Sequence, residues 1–239
     1  MSSPPTAEQQ RAALILAELK ARYPDARCAL NFTSALELLV ATILAAQCTD
    51  ERVNQVTATL FKKYPTAAAY ASSTQAELEQ DIKSTGFYRN KAKNVRAMAQ
   101  MLVDRHGGEA PRTMDELIAL PGVARKTGNV VLGNAYDIVV GIAVDTHMLR
   151  LARRFGWTTS EDPVQVERDV MPLFPQAEWV HLAHLVQYHG RAICRAPKPL
   201  CESCTFVPLC PTGQERLAAG GAPAAAATKT AASRVRAST

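Results

Sequence analysis

The sequence has few aromatic residues, no long hydrophobic run and no sustained strand-like alternation. Phe, Trp and Tyr supply only 6% of its 239 residues. The longest apolar stretches, such as residues 38–46 and 138–144, fall far short of the roughly 20 residues that span a bilayer. The N-terminal stretch AALILAEL is followed at once by Lys20 and Arg22, which is not the order of a signal peptide. We therefore expect a cytoplasmic protein with no membrane partner.

Helical start signals are frequent. Residues 34–37, 74–77 and 113–116 each have the Ser/Thr-x-x-Glu pattern of a capping box next to an apolar run. Asp162 before Pro163 is typical of an N-cap followed by proline at the first helical position. The stretch IVVGIAV at 138–144 is short enough to be a buried connector into a helix that Asp145 caps. These start signals, without strand-like alternation, predict an all-α chain. The 47% hydrophobic content is enough for one or two domains, and no internal repeat is visible.

Positive charge is in excess but unevenly spread. The net charge of +5 and the sequence pI near 8.9 are compatible with a nucleic-acid partner. Residues 213–239 contain four basic residues and one acidic residue, so +3 of the total lies there. This stretch is rich in alanine and lacks aromatic residues, so it cannot bury a core. We expect a flexible basic tail over 213–239 that adds weak contact with DNA.

The six cysteines are also unevenly spread. Four fall within 17 residues in the pattern C-x6-C-x2-C-x5-C, at Cys194, Cys201, Cys204 and Cys210. In a chain without a secretory signal, such a group indicates a metal or cluster site before it indicates disulfides. A zinc site usually has two paired knuckles, and this pattern has a single C-x2-C. The spacing favours four thiolates around one centre without identifying the centre, and the isolated Cys28 and Cys48 are expected to be buried thiols.

The stretch LPGVARKTGNVV at 120–131 places a proline-glycine turn before a lysine and an apolar helix. Two interpretations of Lys126 are open from these residues alone. In one, Lys126 lies on the solvated first turn of the new helix, against the helix dipole. In the other, the turn exposes backbone N–H groups to a phosphate, and Lys126 faces the same ligand.

Together, LPGVARKTGNVV, the VDTH at 144–147 and the four-cysteine group resemble the endonuclease III family of helix-hairpin-helix DNA glycosylases. The resemblance runs from about Leu19 to Pro211. It implies two helical lobes with a DNA-binding cleft between them. Residues 28–138 would form a helical barrel domain that carries the helix-hairpin-helix. Residues 1–27 and 139–212 would form an iron-sulfur domain, in which the four cysteines hold a [4Fe–4S] cluster.

The resemblance also implies roles for residues near the hairpin. Lys126 matches the family's nucleophile and Asp145 its catalytic carboxylate, while Gly122, Ala124 and Arg125 lie on the phosphate-binding turn. An amine suits this chemistry because it can attack C1′ of the sugar and form a Schiff base. Asp145 has a second interpretation as a helix N-cap, and both roles can coexist. Ala124 replaces a second glycine usual in the hairpin, which would strain the turn if position 124 needed a positive φ.

Further DNA contacts are implied outside the hairpin. Gln47 in AAQCTD matches a residue that fills the gap left by an extruded nucleotide, and Phe87 in TGFYRN offers a stacking ring beside it. We expect Lys91 to contact a phosphate, and the loop between Cys194 and Cys201 to present Arg195 and Lys198 to DNA. The alternatives are an ordinary interhelical glutamine, a core aromatic ring and solvated cations. His181, His184 and His189 are assigned no metal.

The implied activity is base excision repair. Oxidised pyrimidines would be removed from duplex DNA and the resulting AP site cleaved by β-elimination, by a monomeric enzyme associated with the nucleoid. Two alternatives remain open from the sequence. One is a monofunctional glycosylase that acts on adenine or mismatched thymine, and the other is a non-catalytic helix-hairpin-helix DNA-binding module. The lysine at 126 argues against the adenine enzyme.

Overall fold

A computed structural model describes residues 4–220, and within this range the chain is helical and has no strand. None of its described helices is long and apolar enough to cross a membrane. The α-helices are α1 (Ala7–Arg22), α2 (Ala35–Leu44), α3 (Asp50–Lys63), α4 (Ala67–Ser72), α5 (Gln75–Asp81), α6 (Tyr88–His106), α7 (Met114–Ile118), α8 (Arg125–Ala135), α9 (Thr146–Arg154), α10 (Pro163–Val170), α11 (Trp179–Ala192) and α12 (Pro211–Ala218). Short 3₁₀ helices lie at Lys83–Thr85, Met171–Leu173, Gln176–Glu178, Cys201–Ser203 and Val207–Leu209.

The helices begin where the sequence predicts. Ser34, Thr74 and Thr113 each accept a hydrogen bond from the backbone N–H three residues later, so the first turns of α2, α5 and α7 are capped. Asp162 caps α10 in the same way, with Pro163 at the first helical position. At the start of α5 the capping box is complete, because the Glu77 side chain also accepts from the N–H of Thr74. These predictions are confirmed.

Two separate clusters of buried hydrophobic residues hold the chain together. The first lies between Leu38 and Leu132 and is built by α2–α8. The second combines α1 with residues 142–210, so that Ile15 and Leu19 of α1 pack in one cluster with Leu151, Leu182 and Phe206. Segments from both sides of the first cluster in the sequence therefore meet to build the second.

Helix α8 lies between the two clusters. Val131 and Leu132 belong to the first cluster, and the helix also contacts α11. Two glycines allow this close packing. A Cβ on Gly128 would lie 2.6 Å from Met114 Sδ on α7, and a Cβ on Gly133 would overlap Val180 Cγ2 on α11. Helix α8 is thus fixed against both of its neighbours at contacts that leave little room for a side chain.

The expected boundary of the tail is wrong. Helix α12 runs to Ala218, past residue 213 where the tail was expected to begin, and Gly213 is buried against Val207. Pro211 at the start of α12 packs near Gly156, so the helix is part of the folded structure. The alanine-rich stretch from residue 221 to 239 lies outside the described residues.

We expect the two glycines of α8 to respond differently to alanine. Gly133→Ala should lower the free energy of unfolding by about 1–3 kcal/mol, because the branched Val180 side chain cannot move away from the new Cβ. Gly128→Ala should be neutral or stabilise by up to about 1 kcal/mol. Here the obstacle is the flexible end of Met114, and alanine favours the helix. Urea denaturation of both variants measures the difference, and equal effects would contradict it.

Candidate active site and cysteine centre

The turn between α7 and α8 needs a glycine at one position only. Gly122 has a φ of +79°, and a Cβ there would lie 2.9 Å from Asn94 Cβ. Ala124 has φ −96° and ψ 167°, an extended conformation open to any residue. The alanine at 124 therefore does not strain the hairpin. Ala124 is the N-cap of α8 and its side chain makes no capping hydrogen bond, so the first N–H groups of α8 have no side-chain acceptor at this position.

Lys126 is the second residue of α8 and is exposed. It lines a cleft with Asp145, which precedes α9. The cleft walls come from both hydrophobic clusters. Among the lining residues, Leu30 and Ala45 pack against the first cluster and Ala183 packs against the second. The two residues expected to carry the chemistry therefore line one cleft, each at the start of a helix.

Asp145 is an N-cap and is also free to face the cleft. Its Oδ1 accepts a hydrogen bond of 2.8 Å from the N–H of Met148, which fixes the start of α9. Its Oδ2 accepts from Gln187 Nε2 at 3.1 Å, and the residue is half-buried. A carboxylate oxygen accepts more than one hydrogen bond, so the contact with Gln187 orients Oδ2 without saturating it. The interpretation of Asp145 as an N-cap is confirmed, and its Oδ2 can still accept a hydrogen bond from the cleft.

Neighbouring histidines add no positive charge to the cleft at neutral pH. Burial lowers the pKa of His184 to about 4, and its Nε2 lies 2.8 Å from Asn134 Oδ1. Burial also lowers the pKa of His147. Asp50, another residue of the cleft wall, is paired with Arg191 at 2.6 Å. Within the residues that line the cleft, Lys126 and Asp145 are the charged groups without an ion-pair partner of opposite sign.

Arg125 and Asn129 tie the first turns of α8 to a buried carboxylate. Glu167 of α10, whose side chain is 4% exposed, accepts from Arg125 Nε at 2.6 Å and from Asn129 Nδ2 at 2.9 Å. A second guanidinium hydrogen bond from Arg125 reaches the other Glu167 oxygen at 3.1 Å. Asn129 also donates to the carbonyl of Ile142 at 3.1 Å. No short sequence pattern predicts this network, because Glu167 lies about 40 residues from Arg125 and Asn129 along the chain.

The prediction that Lys91 contacts a phosphate is wrong. Its side chain is buried, with 4% of the residue exposed. Its Nζ donates to the carbonyls of Leu44 at 2.8 Å and Thr85 at 2.7 Å, inside the protein. Burial lowers the pKa of Lys91, since no carboxylate compensates for the lost hydration. The sequence does not distinguish Lys91 from its exposed neighbours Arg89 and Lys93, because contacts with distant segments place Lys91 in the interior.

Gln47 and Phe87 have an unusual backbone conformation in common. Gln47 has φ +51° in the turn between α2 and α3, and Phe87 has φ +47° directly before α6. Both residues are exposed, and Phe87 keeps 66% of its surface in solvent. A left-handed conformation costs a non-glycine residue on the order of 1 kcal/mol. The two exposed side chains therefore lie on strained turns, and the sequence patterns do not predict this strain.

The expected loop between Cys194 and Cys201 lies at the surface. Arg195 and Lys198 are both exposed there. The Nε of Arg195 donates to the carbonyls of Arg191 and Ala192, so this side chain folds back over the end of α11.

Cys28 and Cys48 differ from the prediction, because both thiols are half-buried rather than buried, and Cys28 forms part of the cleft wall.

The four cysteines of the C-terminal group line one small, mainly apolar cavity. Cys194, Cys201 and Cys210 are buried and Cys204 is half-buried. Burial raises the pKa of the Cys204 thiol to about 11 and also raises the pKa of Cys201 and Cys210. Among residues 4–220, no three His, Cys, Asp or Glu side chains are placed to share a single metal ion.

Two arginines connect this cavity to the cleft through α9. Arg154, at the end of α9, donates to Cys194 Sγ at 3.2 Å and to the carbonyl of Arg195 at 2.9 Å. Arg150, one turn earlier, donates to the carbonyl of Cys194 at 3.2 Å through its Nε. Helix α9 thus runs from its N-cap Asp145, in the cleft, to Arg154, which contacts Cys194. His189 borders the same cavity and hydrogen-bonds to Tyr23, at 2.9 Å.

The amino-acid sequence matches a family of known proteins over most of its length. A model of the HhH-GPD superfamily of base excision DNA repair proteins matches residues 40–176. Endonuclease III of Synechocystis sp. is 52% identical over 207 residues, which cover 87% of this chain and 94% of that protein. Endonuclease III of Escherichia coli is 39% identical over 82% of this chain and 92% of its own length.

Solved structures match at the level of the whole fold. A trapped endonuclease III–DNA covalent intermediate aligns with a TM-score of 0.83 and 43% identity, over 91% of this chain and all of that one. A thermostable thymine-DNA glycosylase, 21% identical, aligns with a TM-score of 0.79 and so shows the fold alone. The resemblance inferred from the hairpin, VDTH and the cysteines is confirmed, and the chain belongs to the endonuclease III family of HhH-GPD base excision DNA repair proteins.

Proposed function

We propose that this DNA glycosylase removes oxidised pyrimidines from duplex DNA and cleaves the AP site by β-elimination, with Lys126 as the nucleophile. The observation that carries the proposal is that Lys126, in the first turn of α8, and Asp145, the N-cap of α9, line one cleft. An amine that forms a Schiff base and a carboxylate that faces it are the groups that this chemistry needs.

In the proposed reaction, the neutral amine of Lys126 attacks C1′ and the bond from C1′ to the base breaks, with its electron pair leaving on the base. The base takes up a proton as it leaves. Opening of the sugar at O4′, which is protonated, gives a protonated Schiff base between C1′ and Lys126. Loss of a proton from C2′ then expels the 3′ phosphate, and water hydrolyses the imine to release Lys126. Asp145 stabilises positive charge at the sugar or moves the proton at O4′.

The turn before α8 is the proposed phosphate site. The first N–H groups of α8 receive no side-chain cap from Ala124, and a helix N-terminus favours an anion. Gly122 allows the backbone to turn sharply there. Arg125 is held by Glu167 but keeps 43% of its side chain exposed, which leaves part of its guanidinium for DNA. A phosphate on this turn would hold the neighbouring nucleotide near Lys126.

Gln47 and Phe87 are proposed to fill the space that the damaged nucleotide leaves when it rotates out of the duplex. Both side chains are exposed on turns and neither is part of a core. An aromatic ring that stacks on an unpaired base contributes roughly 1–3 kcal/mol, which offsets part of the few kcal/mol that unstacking costs. Both residues have a strained backbone, and such strain is often found where a side chain has to be presented to a ligand.

The donor set of the cysteine cavity fits a [4Fe–4S] cluster. Four thiols face one apolar cavity, as such a cluster requires, and no three ligands converge on a point where one ion could sit. Cys194, Cys201, Cys204 and Cys210 would be the ligands, and the bound cluster would supply binding energy that orders the loop from 194 to 210. Arg154 would then donate to a thiolate, and the ordered loop would present Arg195 and Lys198 to DNA.

The two hydrophobic clusters are proposed to be the cores of two domains, residues 28–138 and residues 1–27 with 139–212. DNA with a damaged base or an AP site would lie across the cleft between them. The enzyme would act as a cytoplasmic monomer near the nucleoid.

Replacing Lys126 tests the nucleophile. Borohydride trapping on duplex DNA that contains an AP site should give a covalent adduct with the parent chain and none with Lys126→Ala. Binding of that DNA should weaken by no more than about tenfold, because one cation among several contributes modestly. The matched variant Lys126→Arg keeps the charge but cannot form the Schiff base, so it should bind normally and still not be trapped. Trapping by either variant would overturn the assignment, and a parent chain that is never trapped would favour a monofunctional glycosylase or a binding module.

Asp145→Asn separates the charge from the helix cap. Asparagine caps a helix about as well as aspartate, so the melting temperature should stay within about 2 °C of the parent. Base excision in single-turnover experiments should slow by roughly 100-fold or more, because the carboxylate charge is lost. DNA affinity should be retained. An unchanged excision rate would mean that Asp145 serves as a cap alone.

The cluster assignment is tested by metal analysis. The protein purified without oxygen should be yellow-brown and carry about four iron atoms per chain with little zinc. Cys204→Ser should yield mostly insoluble protein, since one ligand of four is lost, whereas Cys48→Ser should keep both colour and iron. Colourless protein with one zinc per chain would return the site to structural zinc.

A further inference from the structure

The buried Lys91 side chain lies between two turns that carry exposed side chains. Its Nζ donates to the carbonyl of Leu44, the last residue of α2, at 2.8 Å. It also donates to the carbonyl of Thr85, the last residue of the 3₁₀ helix before Gly86, at 2.7 Å. Gln47 lies three residues after Leu44 and Phe87 two residues after Thr85. One ammonium group therefore joins the bases of both turns.

The chemistry of the contact suits this position. The last carbonyls of a helix have no intrahelical partner, and a cation at a helix C-terminus is attracted by the helix dipole. An ammonium has three donors on a flexible stem, so it can reach two carbonyls that point toward each other from different elements. No side chain of opposite charge is among its hydrogen-bond partners. A buried lysine without a carboxylate is costly for stability, and this position gives it two acceptors in fixed places.

The same residue is also connected to Phe87 through the backbone. The N–H of Lys91 donates to the carbonyl of Phe87 at 3.1 Å, which forms the first turn of α6. Phe87 is thus held from two sides, by its place at the start of α6 and by the tie from Lys91 to Thr85. Gln47 is connected to the same point through the end of α2. The ammonium thus links the two turns directly by hydrogen bonds.

We propose that Lys91 is a positioning residue, which sets the distance between Gln47 and Phe87 so that both can enter the duplex when the damaged nucleotide leaves. The inference rests on the proposed role of Gln47 and Phe87. It concerns the opening of paired DNA and not the covalent step at Lys126. Its effect should therefore depend on whether the target nucleotide is paired.

The experiment compares single-turnover excision of thymine glycol in a paired duplex with excision of the same base in single-stranded DNA. Lys91→Met removes the donors while keeping the length of the side chain. The ratio of the paired to the unpaired rate should fall by about tenfold, the size of effect expected when the stacking of one base is lost. The unpaired rate should change by less than about threefold. Lys93→Met, an exposed neighbour on α6, is the matched control and should leave the ratio unchanged.

A structural role alone would lower both rates together, because it would reduce the amount of folded enzyme. An equal loss on both substrates, or no loss on either, overturns the proposal. If Lys91→Met is insoluble, Lys91→Gln keeps one short amide donor and should give a smaller fall in the ratio. Gln47→Ala and Phe87→Ala are measured beside it. If these two lower the ratio and the Lys91 variants do not, the role of Lys91 is wrong while the proposed role of Gln47 and Phe87 stands. If none lowers it, both are wrong, and the Lys126 assignment is still tested separately by trapping.

Discussion

A single buried carboxylate joins the three segments that bring the candidate catalytic groups together. Glu167 of α10 holds Arg125 and Asn129 of α8, on either side of Lys126 along the chain. Asn129 reaches the carbonyl of Ile142 in the connector that leads to Asp145. At Gly141 that connector passes so close to Glu167 that a Cβ would overlap the carboxylate. The relative position of α8, the connector and α10 is therefore set by directional contacts, which hydrophobic packing alone would not supply.

Local features of this fold were readable from the sequence because their causes are local. The caps at Ser34, Thr74, Thr113 and Asp162 involve residues three apart, and the connector at 138–144 was recognised by its length. The hairpin and the cysteine spacing identified the family for the same reason. Contacts between distant segments could not be read. Lys91 looked like its exposed neighbours in the sequence, and only the meeting of α2, α6 and the residues before Gly86 makes it a buried donor.

In the candidate site, too, the sequence predicts local motifs, and only the fold reveals contacts between distant residues. Lys126 and Asp145 were found by motif, and the structure adds that they line one cleft. Two hydrogen bonds, from Gln187 to Asp145 and from Arg154 to Cys194, each join residues about 40 positions apart. No short sequence pattern contains such a pair. The left-handed conformations of Gln47 and Phe87 could not be foreseen either, since neither residue type favours positive φ and the surrounding structure imposes it.

The composition of the second hydrophobic cluster has a consequence for synthesis on the ribosome. Helix α1 is made early, but Ile15 and Leu19 pack in one cluster with residues 142–210, which are made more than 100 residues later. At translation rates of roughly 5–20 residues per second, α1 waits on the order of ten seconds for its partners. The first cluster, built from residues 38–132, is complete before then and can fold while α1 still exposes its apolar face. The cavity lined by the four cysteines also lies in this late segment, so it takes shape only after the hairpin before α8 has been made.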